Sequence, residues 1–297
     1  MNIEKYFKII LCPLVFLYRT YKTYNNGLRL RGWNEFVLGG EILVQLNNPK
    51  GKFYIDPRSR LMASVWEDNY EERTLSLLRK LKLSDGIIVN IGSNVGFYAI
   101  HLANLFQGKK VFAIEPNPEA FQLLIKNIRI NNLVDRILPF NLCVSERSGI
   151  IEFAYISGKS EFSSIGNIIQ EYSKNCTQEI IYMESKVLGD IVCDEKVALI
   201  LMDVEGAEKL VIDGSMDILK RDKPILILEC ADLLLTKFNN TALDLIDTLI
   251  KNDYQVHDIE KQQKEIKFPF NGNIIAIPKN VKELACLNIE NEQSVLL

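Results

Sequence analysis

The chain has 297 residues, 47% of them hydrophobic and 25% charged, the make-up of a soluble globular protein with a full core. A net charge of −3 provides no whole-protein footprint for nucleic acid. The six cysteines (Cys12, Cys143, Cys176, Cys193, Cys230 and Cys286) are scattered, with no C-x-x-C pair and no histidine at zinc-ligand spacing, and read as reduced thiols in or near the core.

Residues 1–24 read as an amphipathic helix, with Ile3, Tyr6, Phe7, Ile10, Leu14, Leu17, Tyr18 and Tyr21 at helical spacing. Its apolar run is interrupted by Pro13 and is too short to span a bilayer, and Tyr18-Arg19-Thr20-Tyr21 after it is a poor signal-peptide cleavage site. Residues 1–34 carry a local charge of +5. Two readings stay open: the helix caps the domain, or it lies on an anionic membrane surface. The expected location is cytoplasmic, with peripheral contact on the inner membrane face under the second reading.

Residues 25–60 hold short strand-like pieces, Glu35–Leu38 and Ile42–Leu46, separated by Asn/Pro/Gly turns. A helix of about 18 residues comes next, with Trp66, Tyr70, Leu77, Leu78 and Leu81 on one stripe. The division expected is an extension over 1–60, a main domain over 61–280 and a tail over 281–297.

The main domain is built around the stretch Ile87–Phe97. Ile87 to Ile91 is an apolar, mostly β-branched run, as in a strand buried on both faces of a parallel sheet. It ends at Gly92, with Gly96 four residues on, and Phe97, Ile100, His101 and Leu105 then recur at helical spacing over 95–106. Such a strand, tight turn and helix N-terminus bring a ligand close to free backbone N–H groups. The next strand, Lys110–Ile114, ends in Glu115-Pro116-Asn117-Pro118, where an acid can accept hydrogen bonds from the hydroxyls of an adenosine ribose. Dinucleotides and S-adenosylmethionine share that geometry. Only Gly92 and Gly96 of a G-x-G-x-x-G pattern are present, so a pyrophosphate is the poorer fit and S-adenosylmethionine the better.

Beyond a helix over 118–130, with Phe121, Leu124, Ile125 and Ile128 as its core stripe, Arg136–Val144 reads as a third strand. Residues 150–187 break the alternation with strand-like Ile150–Tyr155 and Glu179–Met183 around a polar loop, Ser157 to Ser164. Val197–Met202 is a fourth strand ending in Asp203-Val204-Glu205-Gly206-Ala207-Glu208, and Pro224–Leu228 a fifth ending in Glu229-Cys230. An apolar helix and a hairpin, Tyr254–Ile259 with Asn273–Ile277, close the domain. The expected fold is α/β: a Rossmann-like class I methyltransferase fold, with a mostly parallel seven-stranded sheet, a closing antiparallel hairpin and an N-terminal helical extension.

These motifs resemble the FkbM-type methyltransferase family. The likeness rests on Asn90–Tyr98, Glu115–Pro118, Leu123–Asn127 with Asn131, and above all Met202–Glu208, with smaller echoes at Ser163-Ser164 and Glu229. It implies S-adenosylmethionine as donor and O-methylation of a sugar, glycan or glycolipid-type acceptor. Asn90 departs from it, since the family usually carries Asp there to hold the cofactor's methionine end. The cofactor set so defined is Asn90, Gly92, Ser93, Asn94, Gly96, Phe97, Glu115, Pro116, Asn117, Asn141 and Asp203.

Asp203 and Glu229, at the carboxyl ends of neighbouring strands, are the candidate catalytic groups, with Glu205 a third. They can act as base or orienting group, or Asp203 and Glu229 can hold Mg²⁺. An acid such as Glu208 in the first turn of a helix is stabilised there without any function. Ser163 and Ser164 either close over the substrate or sit in a plain loop, and His101 and His257 read as packed. The competing classes are a nicotinamide oxidoreductase and a non-catalytic scaffold with a degenerate site. A nucleic-acid substrate is disfavoured by the acidic body.

Overall fold

The computed structural model describes residues 29–31, 41–47, 50–56, 58–59, 71–168, 177–259 and 266–280. The expected helix 1–24, the strand piece 35–38, Trp66 and Tyr70, and the tail 281–297 lie outside the described residues. Among those described, no helix is long and apolar enough to cross a membrane.

Three strands come first, β1 (Arg29–Arg31), β2 (Ile42–Asn47) and β3 (Lys50–Ile55), paired antiparallel. Of the helix of about 18 residues expected next, the described residues form only α1 (Glu72–Leu78), which starts after Glu71 in a left-handed conformation (φ +46°) and ends before Leu81. Strands and helices then alternate: β4 (Ile87–Ile91), α2 (Phe97–Leu105), β5 (Val111–Ile114), α3 (Pro118–Ile130) and β6 (Ile137–Phe140). Four strands interrupt, β7 (Cys143–Val144), β8 (Gly149–Tyr155), β9 (Ser164–Ile165) and β10 (Glu179–Lys186), forming a separate sheet in the order β7-β10-β8-β9. Next come α4 (Leu188–Val192), β11 (Val197–Met202), α5 (Glu208–Asp213) and α6 (Met216–Asp222). Last are β12 (Ile225–Ala231), α7 (Asp232–Leu235), α8 (Ala242–Lys251), β13 (Tyr254–Asp258) and β14 (Asn271–Pro278).

The central sheet has seven strands in the order β13-β14-β12-β11-β4-β5-β6. Only β14 runs against the rest, slotted between β12 and β13. This is the α/β, Rossmann-like class I methyltransferase fold that the motifs imply. Alternation along the strands assigns faces. Ile88, Leu199, Leu201, Ile225, Ile227 and Ile275 join the core on one side, and Ile87, Val89, Ile91, Ile200, Leu226 and Leu228 the core on the other. Carried past the strand ends, the same parity puts Asn90, Glu115, Asp203 and Glu229 on one face, at or near the carboxyl edge.

Two expectations need correcting. The third strand is not continuous from 136 to 144: β6 ends at Phe140, and β7 belongs to the other sheet. Asn141 turns the chain there, its Nδ2 donating to the Glu115 and Pro116 carbonyls. Pro139 is accommodated because β6 is the sheet edge. The core stripe of α3 is also rotated: Ala120, Leu123, Leu124, Asn127 and Ile128 are buried, and Phe121 and Ile125 only partly. Asn127 is what turns it. Its Oδ1 accepts from Tyr54 N–H (2.6 Å), and its Nδ2 donates to Tyr54 O (3.0 Å) and Val95 O (2.8 Å). One turn on, Asn131 does the same for Lys52. These amides fasten β3 to the domain, where Phe53 meets Phe97 edge-on at 4.4 Å. Asn127→Ala is expected to destabilise the protein by about 3 kcal/mol, because buried backbone groups lose their partners. Urea unfolding would read it, and a change under 1 kcal/mol would mean that β3 is held by its apolar contacts alone.

Candidate active site

Where β4 stops, Gly92 N–H and Ser93 N–H both donate to Ile114 O, each at 2.9 Å. Gly92 takes φ +74°, and a Cβ on it would lie 1.8 Å from the Asp203 carbonyl oxygen. Only glycine lets the turn after β4 and the loop after β11 touch in this way. Glu115, 5% exposed, closes the other side of the turn. Its Oε2 accepts from Asn94 N–H (2.7 Å) and its Oε1 from Asn117 N–H (2.8 Å). Burial raises its pKa to about 7, against the pull of those two N–H groups and with a smaller push from Asp203.

A cavity of about 260 Å³ opens between the two loops. Gly92, Ser93, Asn94, Phe97, Glu115 and Pro116 of the expected cofactor set line it, and Asp203 and Glu205 line its far wall. The remaining expected residues are not on its surface. Asn90 is fully buried in β4, its Nδ2 donating to Leu201 O at 3.3 Å and its Oδ1 without a partner among the described residues. Gly96 precedes α2. Asn117 caps α3 by accepting from Glu119 and Ala120 N–H, and Asn141 shapes the turn after Glu115.

The polar loop after β8 lies over this cavity and is pinned at several points. Ser160 Oγ donates to Asn94 Oδ1 (2.7 Å), Asn117 Nδ2 donates to Ser163 Oγ (2.8 Å), and Ser157 Oγ and Gly158 N–H donate to the Glu119 carboxylate. Ser163 and Ser164 both line the cavity.

Around Asp203 the acidic cluster is denser than the sequence suggests, although Glu208 and the catalytic candidate Glu229 are themselves off the cavity surface. Carboxylate oxygens of Asp203, Glu208 and Glu229 lie within 4.8 Å of one another. Glu71 also lines the cavity and accepts from Asn273 Nδ2 at 3.1 Å. It lies ahead of the glycine turn, in a stretch with no motif to signal it. Burial, and then the neighbouring carboxylates, raise the pKa values of the half-buried Glu205 and Glu229, and Glu71 helps to raise that of the more exposed Asp203. Glu208, raised to about 7 by burial, is engaged in structure, its Oε1 accepting from Val204 and Gly206 N–H. Such an oxygen set suits a hard dication, though with Glu208 so engaged Asp203 and Glu229 are the ones left to ligate. His101, with a pKa lowered to about 4 by burial, and His257, also lowered, do not line the cavity.

The raised carboxylates fix a pH trend. A carboxyl whose folded pKa exceeds its unfolded value stabilises the protein at low pH and loses that contribution as pH rises through the folded value. Between pH 6.5 and 8 the two histidines, lowered in the folded state, work the other way by less than about 1 kcal/mol together, so the ligand-free protein is still expected to lose roughly 2 kcal/mol over that interval. Melting temperatures at the two pH values and constant ionic strength test this, and a flat or rising trend contradicts the acidic wall.

The sequence matches the family model "Methyltransferase FkbM domain" over residues 90–256, more than half of the chain. It is 31% identical over 161 residues to the 2-O-methyltransferase NoeI of Sinorhizobium fredii, covering 50% of this chain and 64% of that protein. Methyltransferase sdnD of Sordaria araneosa is 22% identical over 157 residues, covering 44% of this chain and 61% of that protein. The chain therefore spans less than two thirds of the length of these curated relatives. A crystal structure of methyltransferase FkbM from Methylobacillus flagellatus KT is similar with a TM-score of 0.41 and 17% identity, over 65% of this chain and 43% of that one. With the family's domain matched from the glycine turn through to β13, the chain belongs to the methyltransferase FkbM family.

Proposed function

We propose that this protein is an S-adenosylmethionine-dependent methyltransferase that methylates a hydroxyl oxygen on a neutral sugar, glycan or glycolipid-type acceptor. The observation that carries the reading is one cavity with two chemically different ends: the glycine turn with Glu115, and the carboxylates Asp203 and Glu205. S-adenosylmethionine would supply an electrophilic methyl group on a positively charged sulfur. Glu115 would accept from its ribose hydroxyls, and the Gly92–Asn94 turn would follow its backbone-facing edge. Asp203 would orient the acceptor hydroxyl, with Glu229 behind it. The serine loop would exclude water, which matters because alignment and dryness dominate methyl transfer.

Oxygen as the acceptor atom is supported by the relative named a 2-O-methyltransferase. A neutral polyhydroxylated acceptor suits a wall of Tyr98 and Phe162 beside carboxylates, which would repel phosphate or uronate. A nicotinamide dinucleotide is disfavoured because Asn94, at φ +48°, stands where its pyrophosphate would want bare glycine. Mg²⁺ on Asp203 and Glu229 is the alternative means of acidifying the hydroxyl.

Calorimetric titration with S-adenosylmethionine and with NAD tests the donor. Binding of the first alone is expected, and binding of NAD alone would overturn the reading. Tritiated methyl transfer to a panel of neutral glycosides, with and without EDTA, tests the acceptor. Label that survives mild alkali marks an ether, and loss of transfer in EDTA would mark the metal.

A further inference from the structure

A lysine reaches one of the serines that line the cavity. Lys237 sits in the single turn Thr236–Phe238 that succeeds α7. Its Nζ is 2.5 Å from Ser164 Oγ and 5.1 Å from the centre of the Phe238 ring. Lys237 forms no ion pair among the described residues, although Glu205 acts on it electrostatically. The placement is fixed from both sides. Gly206 lets the Asp203–Glu208 loop press on α7, since a Cβ there would meet Leu234 O at 2.5 Å. Asp232, at the start of α7, accepts from Ala242 N–H (2.8 Å) and Phe270 N–H (2.6 Å). Ser164 is held by β9 against Ala154 of β8 and faces the cavity, its Oγ also within 3.3 Å of the Glu205 carbonyl oxygen.

We propose that Ser164 and Lys237 form the proton-accepting pair of the transfer: the acceptor hydroxyl gives its proton to Ser164 Oγ as Ser164 passes its own to the Lys237 amine. This rests on the methyl transfer proposed above. As the acceptor oxygen bonds to the methyl carbon, the carbon–sulfur bond breaks and its electron pair stays on sulfur. The proton ends on Lys237, which becomes an ammonium, so atoms and charge balance. A serine activated by an adjacent lysine is an established pairing for deprotonation. The geometry favours this pair: the Lys237 amine is in hydrogen-bond contact with Ser164 Oγ, and Ser164 lines the cavity. Burial also brings the Lys237 pKa down to about 8, so that a usable fraction of the amine is neutral.

The test has one readout on the lysine and one on turnover. With isotope-labelled lysine, the side-chain resonance that disappears in Lys237→Arg is titrated by NMR in the wild-type protein. A midpoint near pH 8 is expected. A midpoint above 10 overturns the proposal, since the amine would then be permanently charged. Lys237→Arg keeps the charge and the hydrogen bond but cannot take up a proton. It is expected to bind S-adenosylmethionine like the wild type and to lose about 100-fold in transfer to the glycoside panel. Ser164→Ala should lose a similar factor, and the double variant little more. Wild-type turnover in Lys237→Arg also overturns the proposal. If the wild type binds the donor but methylates no glycoside, the proposed acceptor class fails, while the NMR midpoint still decides the lysine.

Discussion

Glu115→Ala is expected to weaken S-adenosylmethionine binding by at least about 100-fold, and more than any other single side-chain truncation in the cavity. Hydrogen bonds to a charged acceptor contribute about 1.5–3 kcal/mol each, and two ribose hydroxyls would be lost together. The truncation also frees the N–H groups of Asn94 and Asn117, so the glycine turn and the start of α3 lose their shared anchor. Glu115→Gln should fall between, because its amide keeps one acceptor oxygen and turns a donor toward one of those N–H groups. Since the carboxyl titrates at about 7 in the empty cavity, affinity in the wild type should also drop below pH 7. Calorimetry of the three proteins at pH 8, and of the wild type at pH 6, reads all of this. Wild-type affinity in the alanine variant would mean that the ribose is held elsewhere.

The parts of this architecture that depend on short-range periodicity are legible in the sequence. The apolar run of β11, Val197–Met202, is readable to the residue, because a strand buried on both faces leaves an unbroken apolar signature. Its terminal Asp203 and Glu205 then have to lie at the carboxyl edge, and they do line the cavity. What escapes depends on contacts between distant segments. Glu71 enters the site through its hydrogen bond from Asn273 on β14, a partner 202 residues away. Lys237 is brought in by the packing of Gly206 on α7, and no local pattern separates it from an ordinary surface lysine. Asn127 hides the true face of α3 because a polar residue inside an apolar stripe counts against burial, whereas here its amide replaces backbone partners for β3. Asn90, which the motif marks as a cofactor residue, is off the cavity surface: its Nδ2 donates to Leu201 O, and its Oδ1 has no partner among the described residues.

Gly92→Ala is expected to be the most disruptive single-methyl addition in the protein. At φ +74° the left-handed backbone alone costs an alanine about 1–2 kcal/mol. The larger effect is steric, because the new carbon would sit 1.8 Å from Asp203 O. That oxygen cannot swing away cheaply: Asp203 N–H is bonded to Ile91 O (3.1 Å), and the succeeding loop is capped by Glu208 through Val204 and Gly206 N–H. The strand ends must therefore part, which separates the donor end of the cavity from the acidic end. The expected loss is more than about 3 kcal/mol, or roughly 10 °C in melting temperature for a domain of this size. Gly108→Ala is the matched control, since nothing lies within 4 Å of a Cβ there, and it should leave both stability and cofactor binding unchanged. If Gly92→Ala melts within about 2 °C of the wild type, the two loops are not in contact. The cavity would then have no fixed distance between the donor's methyl group and the hydroxyl it is proposed to reach.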